Sequence, residues 1–409
     1  MTSPPSDAVV VTTVAPTVQV GASRAQRVGA DAKLIGLLAL GHLVVDTNQG
    51  ALPALLPFVK AAHGLSYAAV GAIVLIANVV SSLIQPLFGY LSDRVAQRWL
   101  LPLGVAVSGL GLAVTGLMPG YATVVAAIVV AGLGVAAYHP EAYKTTTAVA
   151  GDRKATAVSW FSLGGNIGIA IGPPLITVLV TAFGLAGSLG MIIPSLLVAG
   201  LLTTALPFLS ADGAAKARSG VTAAVRNMPG AMALLIVVVM IRSWTQLGFT
   251  TFVPFYYVDY LKADPRVVGT LLFVFLGAGA TGTLVAGPLA DRFGPRRVLA
   301  GVFLLVPPLS VLFLMVTGLL AFVVLGAVGF VLVSSFAIAV VLGQGYMPRH
   351  QGLASGLIAG FAFGAGGLGV TALGWVADHW GLPSALWISA LLPLAGFAVA
   401  VFLPEPKPR

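Results

Sequence analysis

An all-α integral membrane protein of twelve transmembrane helices, arranged as two six-helix repeats, is the fold class this sequence predicts. Three observations predict it. Of 409 residues, 58% are hydrophobic and only 8% charged, against about 25% charged in soluble domains. From Lys33 onward, twelve apolar runs follow one another, each of about 20 residues or more and so able to cross a hydrocarbon core of roughly 30 Å. Finally, Gly89-Tyr90-Leu91-Ser92-Asp93-Arg94 returns as Gly287-Pro288-Leu289-Ala290-Asp291-Arg292, keeping Gly, Leu, Asp and Arg at an offset of 198 residues. Gly165 and Gly168 are echoed 199 residues on by Gly364 and Gly367. Ordered echoes at one offset mark a duplicated architecture.

Composition also excludes. The net charge of +9 is carried by short Lys and Arg clusters between apolar runs rather than by one basic face, which argues against nucleic acid as a partner. With no cysteine, disulfides, thiolate metal sites and redox dithiols are ruled out. No G-x-x-x-x-G-K-[ST] run is present, so an internal ATPase motor is not expected. No cofactor or metal is expected either; energy would come from an ion gradient, with the lipid bilayer, a small-molecule substrate and protons as the partners of a monomer.

In chain order, residues 1–30 are rich in Ser, Pro, Thr, Val and Ala and lack the charged start and apolar region of a leader, which predicts a disordered N-terminal tail. The apolar runs occupy 33–59, 67–91, 99–119, 121–144, 154–182, 186–209, 231–260, 266–290, 297–317, 319–346, 352–377 and 383–403. They group into bundles at 31–209 and 231–403, separated by a linker at 210–230 and followed by a short tail at 404–409. Cations crowd one side: Arg24, Arg27, Lys33, Arg94, Arg98, Arg153, Lys154, Arg292, Arg296, Arg297 and Arg349 face there, against Lys60, Lys262 and Arg266 on the other. The crowded side is expected to be cytoplasmic. Both termini and the linker then lie inside.

Twelve helices with G-x-L-x-D-R after the second and the eighth resemble the major facilitator superfamily over essentially the whole chain. That resemblance implies a central cavity lined by the first, fourth, seventh and tenth helices, with the two halves rocking around it. It also implies a gating role for Gly89, Asp93, Arg94, Gly287, Asp291 and Arg292, in which each Asp meets a helix end of the opposite half and latches the cytoplasmic side. A carboxylate near a helix N-terminus is favoured by roughly 0.3–1 kcal/mol when exposed, weak enough to reopen in each cycle. For the arginines, plain topology signalling is an equal account.

Ionisable groups inside lipid are costly and usually face a cavity, so they point to the working site. In the first helix His42, Asp46 and Gln49 are spaced four and three apart with Pro53 a further four on, all on one helical face. Asp46 lies about thirteen residues in, near mid-membrane at roughly 1.5 Å per residue, where it is the first candidate to bind and release a proton. The fourth helix ends in Tyr138-His139-Pro140-Glu141-Ala142-Tyr143-Lys144; Glu141 and His139 are further proton-coupling candidates. A local Glu141 to Lys144 pair closing the helix end is the plainer account. In the seventh helix Arg242 precedes Trp244 and Gln246. Arginine is a permanent cation that needs a carboxylate, an anionic substrate or water, and Asp46 is the expected partner, either as a structural pair or as one that a proton opens for an anion. Asn166 in the fifth helix is a further candidate for the cavity. Glycines stripe the fifth and eleventh helices, for packing or for sliding.

Within the superfamily, GHLVVDTNQGALPALLPF at 41–58, YHPEAYK at 138–144 and the run from Gln344 to Asp378 are similar to the fosmidomycin-resistance type of efflux protein. The resemblance carries over His42, Asp46, Gln49, His139, Glu141, Lys144 and Gln344 as pathway residues. Two positions depart from the pattern: Gly345 stands where an acid is frequent, and Lys144 where arginine is. The implied activity is proton-driven export of a small anionic antimicrobial across the inner (cytoplasmic) membrane, with Arg242, Lys144, Gln49, Gln246, Gln344 and Asn166 as substrate-binding candidates. Metabolite uptake or exchange on the same fold and a non-transporting scaffold or sensor are the competing readings. The ionisable groups count against the scaffold. No nucleophile–base or HExxH arrangement points to an enzyme.

Overall fold

The computed structural model describes residues 31–85, 87–88, 98–150, 154–208, 227–348 and 351–405, together with Met1. The chain is helical throughout: α1 Ala32–His63, α2 Tyr67–Leu83, α3 Leu100–Thr115, α4 Tyr121–Val149, α5 Lys154–Phe183, a 3-10 turn Leu185–Met191 leading into α6 Ile192–Ala205, α7 Pro229–Phe255, α8 Val267–Phe293, α9 Pro295–Met315, α10 Gly318–Tyr346, α11 Gln351–Trp380, and a last span made of α12 Leu382–Leu391 and α13 Pro393–Val401. Among the described residues, eight helices are long and apolar enough to cross a membrane, and two shorter apolar ones join them.

Local chemistry sets the ends. Asp31 starts α1 by accepting the Lys33 and Leu34 N–H groups at 3.1 Å, which would otherwise be orphaned at a helix N-terminus. Gly64 stops it at φ 59, a left-handed conformation that costs glycine nothing.

Two expectations about interruption need correction. The fourth helix does not end at Lys144; α4 runs through Pro140 and on to Val149, since helices in a bundle tolerate proline where neighbours make good the lost hydrogen bond. The second copy of the glycine–aspartate–arginine motif does not follow the eighth helix but belongs to it. Gly287 to Arg292 form the last turns of α8, and the chain turns only at Gly294, φ 87. The first copy, with Gly89, Asp93 and Arg94, lies outside the described residues, as do residues 2–30, 209–226 and 406–409.

The two halves share one packing plan. In the first half α1 lies along α5, and in the second α7 lies along α11; between the halves α2 packs on α11 and α5 on α8. The glycine stripes divide accordingly. Gly164, Gly168 and Gly172 of α5 face the α1 backbone at Ala39, Leu43 and Thr47, with no room for a Cβ, so they are packing positions within one half. In α11 Gly366 and Gly369 face α7, whereas Gly367 and Gly374 face Leu75 and Tyr67–Ala68 of α2.

The apolar core distinguishes the two ends of the bundle. At the end where α1 gives way to α2, one buried cluster draws on both halves, from Leu55, Val59 and Ile73 to Phe252, Phe255 and Leu386. Toward the end that carries the start of α1, the buried clusters are separate, one in the first half around Leu38, Tyr138 and Phe161 and one in the second around Leu235, Phe303 and Tyr346. The halves are therefore fastened at the α1–α2 end.

Candidate functional site

The four- and three-residue spacing in α1 brings His42 and Asp46 onto the face that meets α4 and α5. His42 Nε2 lies 3.2 Å from Asp46 Oδ2, and His139 of α4 places its Nε2 3.3 Å from Asp46 Oδ1 and 3.2 Å from His42 Nε2. His42 and Asp46 are buried and His139 half-buried.

The tautomers follow from the other ring nitrogens. His42 Nδ1 is 2.8 Å from the Phe161 carbonyl, and His139 Nδ1 is 2.9 Å from the Val135 carbonyl. A carbonyl only accepts, so each Nδ1 carries the hydrogen and each Nε2 of a neutral ring presents a lone pair. Two imidazole lone pairs and a carboxylate thus converge, and Asp46 Oδ1 receives no hydrogen bond. One added proton turns the repulsion among these acceptors into charge-assisted hydrogen bonding.

Neighbours hold the group rigidly. The His42 ring stacks on Phe161 with centroids 4.1 Å apart, and Tyr138 ties α4 to α1 through its hydroxyl, which donates to the Leu38 carbonyl at 2.6 Å. Gly165 of α5 closes the third side. A Cβ there would sit 2.5 Å from His42 Nε2 and 2.6 Å from Asp46 Oδ2, so this glycine makes the room the cluster occupies.

The ligand atoms of His42, Asp46 and His139 lie within 4.8 Å of one another, the spacing a metal ion needs. Two neutral imidazoles and a carboxylate sum to −1; one proton cancels that charge, while a divalent ion, for which two histidines and a carboxylate are also a suitable ligand set, leaves the buried site at +1.

Beside the cluster, toward the α1–α2 end, is a cavity of about 150 Å³ walled by α1, α2, α3, α4, α5, α7 and α8. Asn48 and Gln49 of α1, Asn78 and Ser81 of α2, Ser108 of α3, and Gln246 and Thr250 of α7 are its polar side chains, and none of its lining residues is ionisable. Asn48 donates through Nδ2 to Ser108 and Ser195, whose own hydroxyls donate to backbone carbonyls.

Arg242 lies one and two turns from Gln246 and Thr250 on the same face of α7. It is buried, donates from Nε to Ser335 Oγ at 2.9 Å and from a terminal nitrogen to the Val333 carbonyl at 3.3 Å, and rests over the Phe336 ring. Among the described residues no ion pair joins it to an acid. The pairing expected with Asp46 is not formed, because Asp46 faces α4 and α5 while the guanidinium turns toward α10.

A family model described as Major Facilitator Superfamily matches residues 38–262 and 232–409. The chain belongs to the Major Facilitator Superfamily. It is accordingly a multi-pass membrane transporter of small molecules and not an enzyme. It is 30% identical over 381 residues to the fosmidomycin resistance protein of Escherichia coli, covering 91% of this chain and 93% of that protein. It is 32% identical over 377 residues to the uncharacterized MFS-type transporter YfnC of Bacillus subtilis, with 90% and 92% covered. Among solved structures it superposes on the nucleoside transporter NupG with a TM-score of 0.72 at 15% identity, covering 90% of this chain and 99% of that one. The inward-open xylose transporter XylE from E. coli gives 0.69 at 16% identity, with 92% and 97% covered. At such identities these two likenesses show the fold alone.

The remaining candidates of this superfamily member scatter. Gln49 and Gln246 line the cavity. Glu141 is buried and accepts from the Thr145 hydroxyl at 3.5 Å; Lys144 and Gln344 are half-buried and Asn166 is exposed. None of these four lines the cavity. Arg292 is exposed at the end of α8 over the Phe293 ring, Gly287 is exposed on α8, and the side chain of Asp291 lies outside the described residues. Sequence reasoning passed over Asn48, Asn78, Ser108 and Thr250. Their signal was an uncharged polar residue in an apolar run, weaker than a charge but the same in kind.

Proposed function

We propose that this transporter is a proton-coupled antiporter that exports small anionic antimicrobial compounds of the fosmidomycin kind from the cytoplasmic membrane by alternating access, as a monomer with the proton gradient as its energy source and no cofactor. The observation that carries the reading is the convergence of His42 Nε2, His139 Nε2 and Asp46 beside the cavity, a group completed by one proton. Loss of that proton leaves three acceptors face to face, which drives α1 and α4 apart next to the cavity wall formed by Asn48 and Gln49. Proton occupancy is thereby linked to cavity shape. Arg242, a buried cation without a described acid and on the cavity face of α7, offers an anionic cargo its counter-charge. The resistance relative supplies the class of cargo.

The test uses inside-out vesicles with an acidified lumen and a pH-sensitive dye. Adding fosmidomycin releases protons from the lumen with wild type and not with Asp46→Asn, which still binds the compound. Proton release that survives in Asp46→Asn sinks the assignment. Loss of the signal on chelation, with recovery on adding zinc, would instead make the triad a metal site. A wild-type protein that is correctly inserted yet silent to fosmidomycin shifts the cargo to an organic-acid or sugar-phosphate metabolite.

A further inference from the structure

The expected cytoplasmic latch places a carboxylate on a helix end of the opposite half. A contact of that kind is formed at the other end of the bundle. Asp378, in the last turn of α11, accepts the Tyr67 N–H through Oδ1 at 2.8 Å and the Ala68 N–H through Oδ2 at 2.9 Å. These are the first two N–H groups of α2, which belongs to the other half. Ser66 takes the third, from Ala69, at 3.1 Å. Helix α2 thus caps part of its N-terminus itself and borrows the rest across the seam.

A second cross-half contact adjoins it. Asp259, in the π-helical turn that extends α7, accepts from the Tyr67 hydroxyl at 2.8 Å and lies 3.2 Å from Lys60 Nζ. The Lys60 ammonium stands 4.3 Å over the Tyr67 ring, and that ring meets Phe255 of the second half edge-on. Lys60 and Tyr67 belong to the first half, Asp259, Asp378 and Phe255 to the second. Close approach below is permitted by glycine: Cβ atoms at Gly71 and Gly374 would strike Thr371 and Ala68 backbone at 2.8 and 2.9 Å.

Among the described residues, the seam related by the repeat has no such device. There α5 meets α8 through Pro174, Thr177 and Gly269, and α8 begins with Asp264 accepting the Arg266 N–H from its own chain segment. Among the described residues, of the two seams only α2–α11 is held by charge.

We infer that Asp378 and Asp259, with Lys60 and Tyr67, form a latch that holds the α1–α2 end closed, and that its release opens the cavity to that side. Separation of the halves strips two N–H groups of α2 and the Lys60 ammonium of their partners, and water replaces them. All four groups are half-buried or exposed, so replacement by water is incomplete loss rather than burial of a bare charge, and the latch can break in every cycle. This role depends on neither the proton nor the identity of the cargo.

Because the protein has no cysteine, two spin labels can be placed without background. Labels at Ala62→Cys and Leu261→Cys, both exposed beside the latch, report the gap between halves in nanodiscs by pulsed electron resonance. The wild-type background gives mainly the short distance. Asp378→Ala and Asp259→Ala raise the long-distance population several-fold, Asp378→Asn less so because one acceptor remains, and the exchange of Lys60→Asp with Asp259→Lys restores the short distance. A control pair within one half, Ala62→Cys with Tyr121→Cys, stays unchanged and excludes unfolding. A gap distribution that stays at its wild-type form in both alanine variants, with the control intact, overturns the latch. So does a charge exchange that opens the gap as far as Asp259→Ala alone.

Discussion

The two halves of this transporter share a helix plan and differ in chemistry at equivalent places. In the first half, α1 and α4 bring together two imidazoles and a carboxylate that lack one hydrogen between them. At the 198-residue offset, Asp46 corresponds to Trp244, His42 to Met240 and His139 to Ala337; none of these holds a proton near neutral pH. The second half has instead a permanent cation, Arg242, satisfied by a hydroxyl and a carbonyl. Trp244 donates its indole N–H to the Ala365 carbonyl at 2.7 Å, a structural tie where the other half has Asp46. Duplication copies backbone paths, since these depend on apolar periodicity and small-residue contacts. Side chains at the centre are free to diverge, and under the proposed function one half serves a proton and the other an anion.

That division can be broken. The largest effect is expected at Asp46, where Asp46→Asn abolishes substrate-induced proton release while equilibrium binding of fosmidomycin, read by calorimetry, persists. Equal loss of both would mean that the two functions are not divided between halves. The mirror variant is Arg242→Gln. Hydrogen bonds to a charged group contribute about 1.5–3 kcal/mol, so affinity for an anionic compound should fall roughly 10- to 100-fold, with little change for an uncharged cargo. A matched fall for charged and uncharged compounds would make Arg242 a structural residue.

Gly165→Ala sharpens the comparison from the first half alone. The added methyl meets His42 and Asp46, an overpacking that costs about 1–3 kcal/mol; thermal unfolding should come at lower temperature and proton coupling should weaken, while binding at Arg242 is spared. Gly364, its echo in α11, has open space around a Cβ, so Gly364→Ala should leave both unchanged. The smallest effect belongs to Lys60→Ala. A partly exposed ion pair contributes about 0–1 kcal/mol, so the change in unfolding temperature should be slight even where the spin-label distance responds.

Much of the fold was legible because it is written in short-range terms. Runs of about 20 apolar residues dictate spanning helices, and the repeated motif and glycines showed that they come in two sets. The candidate site was legible in part: rarity of ionisable groups in apolar runs singled out His42, Asp46, His139 and Arg242 before any contact was known. Their partners were not. Helical periodicity places residues on a face but does not say which helix that face meets, and Asp46 went to His139, 93 positions away, rather than to Arg242.

The sequence by itself determined the membrane class, the helix count, the duplication and the short list of buried polar groups, since each follows from composition and spacing along the chain. Only the tertiary structure decided that two histidines turn their lone pairs toward one carboxylate, that the polar groups in a mostly apolar cavity wall are amides and hydroxyls, and that Asp378 caps a helix beginning 311 positions earlier. Those arrangements depend on how helices cross in space. Hydrogen-bond direction and charge act over a few ångströms, and no periodicity along the chain encodes which groups will come that close.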